Sequence, residues 1–309
     1  MIAVIRAGLL TTVQDLGRRG YRQLGVGQGG ALDPLALTVG NRLVGNEANT
    51  AALEITVGSV VRLSFYRSAS IALTGADVSA DLDGERVWHG WRTPAREGQI
   101  LTLAAPRSGM RAYLAIAGGI DVPPVLGSRS TDLNAGFGGL AGRALQDGDS
   151  LPLGSATPPT GRQGLKLPEW DPFVRAMPGP EYDGFKREAQ QALWQTEWKV
   201  SAQSNRMGYR LLGPALTYAN PGELLSHAVL PGTVQVPPNG QPIVLLADAQ
   251  TTGGYPRIAT VIEADLWKLA QVRLGATFRL VACTLATARA ARQALQYYLN
   301  RIEGSLYGH

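Results

Sequence analysis

The sequence contains few of the cysteine and histidine residues from which disulfides, metal clusters and catalytic triads are built. Cys283 is the only cysteine among 309 residues, which excludes a disulfide framework and a metal site made of several cysteines. No clustered spacing of histidine, cysteine and carboxylate residues indicates metal ligands. Only His227, which follows Ser226, is a candidate base for a nucleophile, and a lone histidine is more often structural. We therefore predict no metal site and no catalytic triad.

Charge is also scarce, because Asp, Glu, Lys and Arg together make up only 17% of the chain. The net charge is +5, yet only four residues are lysines and the arginines are scattered. A surface that binds nucleic acid usually concentrates Lys and Arg along one element. The longest cluster, Arg18, Arg19 and Arg22, is too short for such a surface. We therefore predict no nucleic-acid partner.

Long hydrophobic runs are missing. No uninterrupted apolar segment approaches the roughly 18 residues that a membrane-spanning helix needs. The first ten residues, MIAVIRAGLL, are interrupted by Arg6 and Gly8 and lack the pattern of a secretion signal. We expect a cytoplasmic protein without a membrane segment.

The chain is rich in glycine and proline, with 38 and 19 residues, which favours short strands joined by tight turns. Asp83-Gly84 is typical of a hairpin turn. One helix is predicted after Gly30, with Asp33 as its N-cap and Pro34 in its first turn. The segment LATARAARQALQYYLNRIE predicts a C-terminal amphipathic helix whose buried face comprises Leu295, Tyr298, Leu299 and Ile302. The fold class is thus mainly β with a few short helices.

Two halves of similar composition are indicated. The hexapeptide Gly-Tyr-Arg-x-Leu-Gly occurs at residues 20–25 and again at 208–213, which predicts the same turn in each half. A segment rich in Pro, Gly, Ser and Thr lies between the halves. We predict an N-terminal β-rich half at 1–155, a linker at 156–180, and a C-terminal half with the terminal helix at 181–309. Each half is predicted to be a small β-barrel.

Nucleotide-binding motifs are weak or missing. The segment GVGQGG (25–30) has the spacing of a dinucleotide fingerprint, but the strand that should precede it is replaced by charged, glycine-broken sequence. No G-x-x-x-x-G-K-[ST] segment occurs in the chain. Polar residues concentrate instead in predicted turns, at QSNRMGYR (203–210), ADAQTTGGYPRIAT (247–260) and TTVQDLGR (11–18). Such turns either present donors to a ligand oxygen or only satisfy their own backbone, and the two interpretations are equally supported.

Several longer segments resemble one known family. They are TTVQDLGRRGYRQLGV, NRLVGN, LAIAGGIDVPPVLGSRSTD, QSNRMGYRLLGP and VQVPPNGQPIVLLADAQTTGGYPRIATVIEADL, and they extend over nearly the whole chain. They are similar to the family of 5-oxoprolinase C subunits, also called allophanate hydrolase subunit 2-like or KipA-like and known as a biotin-dependent carboxyltransferase family. The resemblance implies two tandem cyclophilin-like β-barrel halves.

The resemblance also implies partners and an activity. The expected partners are the KipI-like B subunit of 5-oxoprolinase and its LamB/YcsF-like A subunit, and the complex hydrolyses a small cyclic amide, 5-oxoproline, to glutamate with ATP. The alternatives are a carboxyltransferase component that uses urea or a similar amide, and a non-catalytic regulator that binds a kinase-inhibitor protein. No lysine follows a methionine, so any biotin is expected on a separate carrier chain, and ATP is expected elsewhere in the complex. No covalently bound cofactor is expected.

All the substrates implied by the resemblance carry an amide or ureido oxygen on which negative charge develops. Suitable stabilising groups are Arg206, Gln250 and the backbone amides of Gly253 and Gly254. Asp248 or Tyr255 could accept or donate a proton. The predicted catalytic residues are thus Arg206, Asp248, Gln250 and Tyr255. The predicted substrate-binding residues are Gln14, Asp15, Arg18, Asn205, Arg210, Thr251, Thr252, Gly253 and Gly254. Replacing Arg206 by Ala is expected to abolish activity without disturbing the fold.

Overall fold

The structure is a computed structural model that describes residues 1–157, 159, 161–219 and 224–307. The chain divides into two compact units. The first comprises Met1–Arg18, Gly29–Glu169 and Leu299–His309, and the second comprises Arg19–Gln28 and Trp170–Tyr298. These units are defined by their internal contacts, which do not show whether either folds independently. The predicted domains 1–155 and 181–309 therefore stay a prediction. Within the described part of the chain, no helix has the length and apolarity required to cross a membrane.

The first unit is built on a ten-stranded sheet. Its strands are β1 (Ile2–Arg6), β2 (Leu10–Gln14), β3 (Ala52–Thr56), β4 (Val61–Phe65), β5 (Ala69–Leu82), β6 (Glu85–Val87), β7 (Trp91–Ala95), β8 (Ile100–Ile116), β9 (Ser150–Leu151) and β10 (Gln163–Gly164). The strands pair in the order β10-β7-β5-β8-β4-β1-β9, while β2 pairs with β3, β3 also with β8, and β6 with β5. The long strands β5 and β8 are antiparallel and carry much of the core of this unit.

Helix α1 (Pro34–Leu43) packs on strands β5 and β8. Its N-cap is Asp33, whose carboxylate accepts a hydrogen bond from the Ala36 backbone N–H at 2.7 Å, and Pro34 occupies the first helical position. Gly40 faces Thr74 so closely that a Cβ there would lie 2.9 Å from its hydroxyl oxygen. The predicted cap, first-turn proline and Asp83-Gly84 hairpin are confirmed, the hairpin joining Leu82 to Glu85.

The second unit contains a closed barrel of β11 (Phe173–Pro178), β12 (Glu197–Val200), β13 (Gly208–Leu212), β15 (Thr233–Gln235), β16 (Ile243–Leu245), β18 (Arg257–Val261) and β19 (Thr277–Ala282). Two short strands, β14 (His227–Ala228) and β17 (Thr252–Gly253), pair with each other. Helices α2 (Arg187–Gln195) and α3 (Leu266–Gln271) belong to this unit as well. Large side chains fill the barrel, and Trp198, Tyr209 and Phe278 are almost completely buried. The predicted mainly β, barrel-containing architecture is confirmed.

The two Gly-Tyr-Arg hexapeptides have different structures, so the prediction that both form the same turn is wrong. The first contains a single 3-10 turn, Arg22–Leu24, and Gly25 follows it with φ +82°. The second forms β13, in which Tyr209 and Leu211 are buried and Arg210 is exposed. The neighbouring strands supply hydrogen bonds that fix the second copy as extended chain.

The predicted C-terminal helix is present as α4 (Leu285–Tyr307). Its predicted apolar face is confirmed, since Ile302 is buried and Leu295, Tyr298 and Leu299 are half-buried. Burial raises the pKa of the Tyr298 phenol to about 12.

Candidate functional site

The second unit carries a cavity of about 440 Å³ on its barrel. Three barrel strands and four loops supply its lining. The lining residues are Ser201, Gln203, Asn205, Met207, Gly208, Arg210, Leu211, Leu212, Gln235, Pro237, Asn239, Gln241, Ile243, Leu245, Gln250 and Tyr255. Six of these sixteen side chains are carboxamides, and Arg210 is the only charged residue among them. The cavity is therefore suited to a small polar ligand that carries negative charge.

The floor of the cavity is a row of three side chains on neighbouring strands. Gln235 of β15 is opposite Ile243 of β16, and Ile243 is opposite Arg210 of β13. Directly opposite residues of antiparallel strands point to the same face of a sheet. The adjacent row, Val234–Val244–Tyr209, is completely buried inside the barrel, so the Gln235–Ile243–Arg210 row lies on the outer face.

Arg210 supplies the positive charge of the cavity. Its backbone is held by two contacts, from its N–H to the Ser204 hydroxyl at 2.9 Å and from the Ser201 N–H to its carbonyl at 2.9 Å. Its side chain is exposed, and no described carboxylate forms an ion pair with it. An unpaired guanidinium with a fixed backbone is a suitable group for a ligand carboxylate.

Gln235 was not identified from the sequence as a site residue. It is 1% exposed, and its Nε2 atom has no hydrogen-bond partner among the described residues. The only sequence signal for it is a glutamine within the β-rich run TVQVPP. Its burial depends on contacts that are distant in sequence, which that signal does not contain.

Arg206 and Asp248 form a buried ion pair beside the cavity and do not line it. Arg206 Nε donates to Oδ2 of Asp248 at 2.8 Å, and Nη2 donates to Oδ1 at 3.0 Å. Their exposures are 5% and 9%. Two backbone hydrogen bonds, Asp248 N–H to the Arg206 carbonyl and Leu246 N–H to the Met207 carbonyl, join the same two segments. The pair therefore holds the loop after β16 against the loop before β13.

Three of the other predicted residues of this unit line the cavity, namely Asn205, Gln250 and Tyr255. Thr251 accepts a backbone hydrogen bond from Val229 at 3.1 Å, while Thr252 and Gly253 form β17. Thr251, Thr252, Gly253 and Gly254 do not belong to the lining of this cavity. Gly253 lies close to Gln235, because a Cβ there would lie 2.7 Å from Nε2 of Gln235.

A second cavity of about 610 Å³ shares Pro237, Asn239 and Tyr255 with the first. Its remaining lining is mostly apolar, with Leu216 and Val236 among its residues, and Gly254 also belongs to it. No charged described residue lines it. The first cavity therefore offers the richer set of groups for recognising a polar substrate.

The predicted residues Gln14, Asp15 and Arg18 lie in the first unit and are all buried. Oδ1 of Asp15 accepts hydrogen bonds from the Gly17 N–H and from the hydroxyls of Ser128 and Ser130, and Oδ2 accepts one from the Arg129 N–H, at 2.6–2.8 Å.

The other two members of this group contact the same loops. Nε2 of Gln14 donates to the Thr12 hydroxyl and to the Thr131 carbonyl. Arg18 donates to the Ser130 carbonyl, and its guanidinium lies over the Phe137 ring, 4.5 Å from the centroid. These contacts form the hydrogen-bonded core of a loop region. A role of Gln14, Asp15 and Arg18 in substrate binding stays a prediction.

A second buried polar group in the first unit surrounds Tyr113. Its hydroxyl donates to Oε2 of Glu54 at 2.6 Å and accepts from the Asp33 N–H at 2.8 Å. Oε2 of Glu54 also accepts from the Leu32 N–H at 2.9 Å. Burial first, and then the negative charge of Glu54, raises the pKa of Tyr113 well above its ordinary value. The phenol therefore stays protonated and connects β8 to the start of α1.

Comparison with known sequences shows full-length relatives. Residues 24–282 match the family model described as carboxyltransferase domain, subdomain A and B. The chain is 55% identical to the C subunit of 5-oxoprolinase from Escherichia coli over 308 residues, which are 99% of both chains. It is 45% identical to the C subunit of 5-oxoprolinase from Haemophilus influenzae, covering 98% of this chain and 97% of the relative.

Comparison with solved structures agrees with this grouping. The crystal structure of the K. lactis urea amidolyase matches 98% of this chain with a TM-score of 0.92 and 32% identity. This chain spans only 20% of that much longer enzyme. Family model, sequence relatives and solved structure thus agree in assigning one architecture to nearly the whole chain. The chain belongs to the carboxyltransferase-domain family of subdomains A and B, together with the two 5-oxoprolinase C subunits.

Proposed function

We propose that this chain is the C subunit of an ATP-dependent 5-oxoprolinase, an amidohydrolase that opens the ring of 5-oxoproline to give glutamate. The observation that carries the proposal is the 55% identity, over 99% of both chains, to a protein named as the C subunit of 5-oxoprolinase. The compared region covers 308 residues of this chain and therefore extends over the segments that line the cavity.

The chemistry of the cavity supports this substrate. At neutral pH 5-oxoproline is an anion whose carboxylate is attached next to the nitrogen of a five-membered cyclic amide. Arg210 is the group that would hold the carboxylate. Asn205 and Gln250, both lining the cavity, offer amide donors and acceptors for the ring. The cavity lacks a described carboxylate that would repel the anion.

The residues around the cavity divide into those that would touch the substrate and those that position them. Ring opening breaks the amide C–N bond as water adds to the carbonyl, and negative charge develops on the carbonyl oxygen. In this proposal Gln250, which lines the cavity, donates a hydrogen bond to that oxygen. The Tyr255 phenol donates a proton to the leaving nitrogen and regains one from the water that adds. Arg206 and Asp248 act as positioning residues, since their ion pair holds the loop that carries Gln250.

The relatives are named as C subunits of 5-oxoprolinase, which supports the presence of further subunits, and no P-loop segment occurs in this chain. We propose that it works with a KipI-like B subunit, together with a LamB/YcsF-like A subunit, and that ATP binds elsewhere in the complex. This chain would then contribute the amide-binding cavity and no covalently bound cofactor.

A second candidate function is carboxyl transfer from a biotin carried on another chain to urea or a similar amide. The family description and the likeness to urea amidolyase favour it. The two functions differ in one measurable property, because avidin inhibits a biotin-dependent transfer and leaves a 5-oxoprolinase unaffected.

The decisive experiment is an affinity pull-down of the full chain from its native lysate, followed by assays on the complex that is recovered. We expect a LamB/YcsF-like protein and a KipI-like protein, together with ATP-dependent formation of glutamate from 5-oxoproline that avidin does not inhibit. Recovery of a biotinylated carboxylase, with avidin-sensitive use of urea, would replace the proposal by the second candidate. A complex that performs neither reaction would contradict both.

A further inference from the structure

The four positions next to Arg210 on the cavity floor are neutral. Gly208 and Leu212 lie two positions away on either side along β13, and residues spaced by two point to the same face of a strand. Ile243 of β16 is directly opposite Arg210. Ser201 follows β12, and its N–H donates to the Arg210 carbonyl at 2.9 Å. All four line the cavity together with Arg210.

The surface beside the guanidinium is apolar and can be reached from the cavity. The Arg210 side chain is exposed, Leu212 is 47% exposed and Ile243 is half-buried. A Cβ at Gly208 would lie 3.1 Å from Cγ2 of Ile243, so the bare backbone of Gly208 borders that side chain. Ile243 itself packs on a small apolar cluster of Val229, Leu245 and Ala249. A carboxylate bound to Arg210 would therefore have an apolar surface beside its α-carbon.

This arrangement distinguishes acids by the charge next to their carboxylate. The nitrogen of an amino acid is protonated at neutral pH and is attached to the carbon that carries the carboxylate. With the carboxylate on Arg210, the ammonium would lie close to the guanidinium, which repels it, and beside Ile243, which offers it no partner. An acylated nitrogen carries no charge and avoids this repulsion.

We propose that the cavity selects carboxylates whose α-carbon bears no ammonium group, and that Ile243 is a specificity-determining residue for this choice. Ile243 occupies the position from which a carboxylate would pair with an ammonium. The corresponding natural ligands are N-acylated amino acids, of which 5-oxoproline is a cyclic example. For the identity of the ligand as 5-oxoproline, the inference rests on the function proposed above. For the class of ligand, it rests on Arg210 and its four neighbours.

The same specificity favours release of the product. During hydrolysis, water supplies OH to the carbonyl carbon and a proton to the nitrogen as the C–N bond breaks. The new carboxyl group then loses a proton to solvent, and the freed amine takes one up. The net charge of the molecule does not change, but a positive charge appears next to the carboxylate held by Arg210. Glutamate should therefore bind more weakly than 5-oxoproline.

The test measures binding of small acids to the full chain by calorimetry or ligand-observed NMR. Proline and cyclopentanecarboxylate have nearly the same shape and differ in the ammonium group, so they isolate the effect of that charge. We expect wild type to bind cyclopentanecarboxylate at least about 10-fold more tightly than proline, and 5-oxoproline at least about 10-fold more tightly than glutamate.

Ile243→Glu and Ile243→Gln form a matched pair, because the two new side chains have the same shape and only one is charged. Ile243→Glu places a carboxylate opposite Arg210, where it can pair with an ammonium. We expect this variant to reduce the preference for cyclopentanecarboxylate over proline at least about 10-fold, and Ile243→Gln to keep it. Melting temperatures show whether both variants fold. If they do not, Leu212→Glu and Leu212→Gln repeat the comparison at a more exposed neighbour of Arg210.

The outcomes separate this inference from the proposed function. Equal binding of proline and cyclopentanecarboxylate to wild type would overturn the inference even if the complex hydrolyses 5-oxoproline. A preference that is the same in the folded Glu and Gln variants would overturn it as well. A complex without 5-oxoprolinase activity, whose chain still prefers cyclopentanecarboxylate to proline, would retain the inference and reject the substrate. If wild type binds none of these acids, the inference is wrong.

Discussion

Arg206 and Asp248 are 42 positions apart in the sequence and hold each other by two parallel hydrogen bonds of 2.8 and 3.0 Å. Both side chains are buried, and neither lines the cavity next to them. The same two segments are also joined by backbone hydrogen bonds. This geometry shows that the pair supports the loops that surround the cavity. The catalytic role expected of both residues stays a prediction.

The ion pair changes what a substitution of Arg206 should do. Arg206→Ala would leave the Asp248 carboxylate buried without its guanidinium, and breaking a buried pair from one side costs about 3–5 kcal/mol. We therefore expect a large loss in the free energy of unfolding, measured by urea denaturation, and not an inactive protein with an intact fold. Loss of activity would follow from the disturbed loops.

The double variant Arg206→Met/Asp248→Leu is the control for this prediction. Removing both charges leaves no unpaired ion, so the double variant should be more stable than Arg206→Ala alone. A free energy of unfolding for Arg206→Ala within about 0.5 kcal/mol of wild type, the usual range for surface substitutions, would contradict the importance of the pair.

The parts of the fold that depend on neighbouring residues could be predicted from the sequence. Asp33 and Pro34 mark the start of α1 because capping and proline chemistry act within one turn. Asp83-Gly84 marks its hairpin for the same reason. The hexapeptides at 20–25 and 208–213 show the limit, because they share five of six residues yet one contains a 3-10 turn and the other forms a strand.

The site was predictable only in part. The polar turns at 203–210 and 247–260 do supply Asn205, Arg210, Gln250 and Tyr255 to one cavity. Gln235 was missed as a lining residue because its place depends on a bulge and on the close approach of Gly253. Both features result from long-range strand pairing, which a local pattern does not contain.

Asp15 should contribute to the free energy of unfolding. Its carboxylate accepts four hydrogen bonds, two of them from backbone N–H groups. Asp15→Asn places an NH2 group against these donors and removes the charge that strengthens them. Since hydrogen bonds to charged groups are worth about 1.5–3 kcal/mol each, we expect a loss of at least about 2 kcal/mol in the free energy of unfolding.

Asp121→Asn is the matched control for Asp15→Asn. Asp121 also contacts Arg129, by an exposed ion pair of 3.0 Å. Exposed pairs contribute about 0–1 kcal/mol, so this variant should remain close to wild type. Equal free energies of unfolding for the two variants would refute the structural role of Asp15.

Glu181 should make the second unit sensitive to acid. Hydrogen bonds from Arg257, at 2.6 and 2.8 Å, hold the pKa of Glu181 below its ordinary value of 4.5. A carboxylate with a lowered folded pKa stabilises the protein above pH 4.5, and the contribution disappears as the pH falls through the folded pKa. We expect Glu181→Gln to be less stable than wild type at pH 7 and the difference to shrink toward pH 3.

Denaturation of both proteins by urea at several pH values measures this difference. Glu263→Gln serves as the control, because its pair with Arg292 has both side chains at least 70% exposed and should contribute little at any pH. A difference between Glu181→Gln and wild type that is the same at pH 3 and pH 7 would be inconsistent with the prediction.

Replacing Arg210 should weaken substrate binding and leave the free energy of unfolding nearly unchanged. Its side chain is exposed on the outer face of β13 and forms no ion pair with a described residue, so Arg210→Ala should change the free energy of unfolding by no more than about 0.5 kcal/mol. Loss of a charged hydrogen bond to the carboxylate of 5-oxoproline, about 1.5–3 kcal/mol, corresponds to an increase in KM of roughly 10- to 100-fold. Arg210→Lys should have an intermediate KM, because lysine keeps the charge without the two-pronged geometry of the guanidinium.

The measurement is steady-state turnover by the assembled complex. Lys199→Ala is the control, since Lys199 is exposed on the neighbouring strand β12 and lies outside the cavity lining. An Arg210→Ala complex with the KM of the wild type would remove Arg210 from the substrate site.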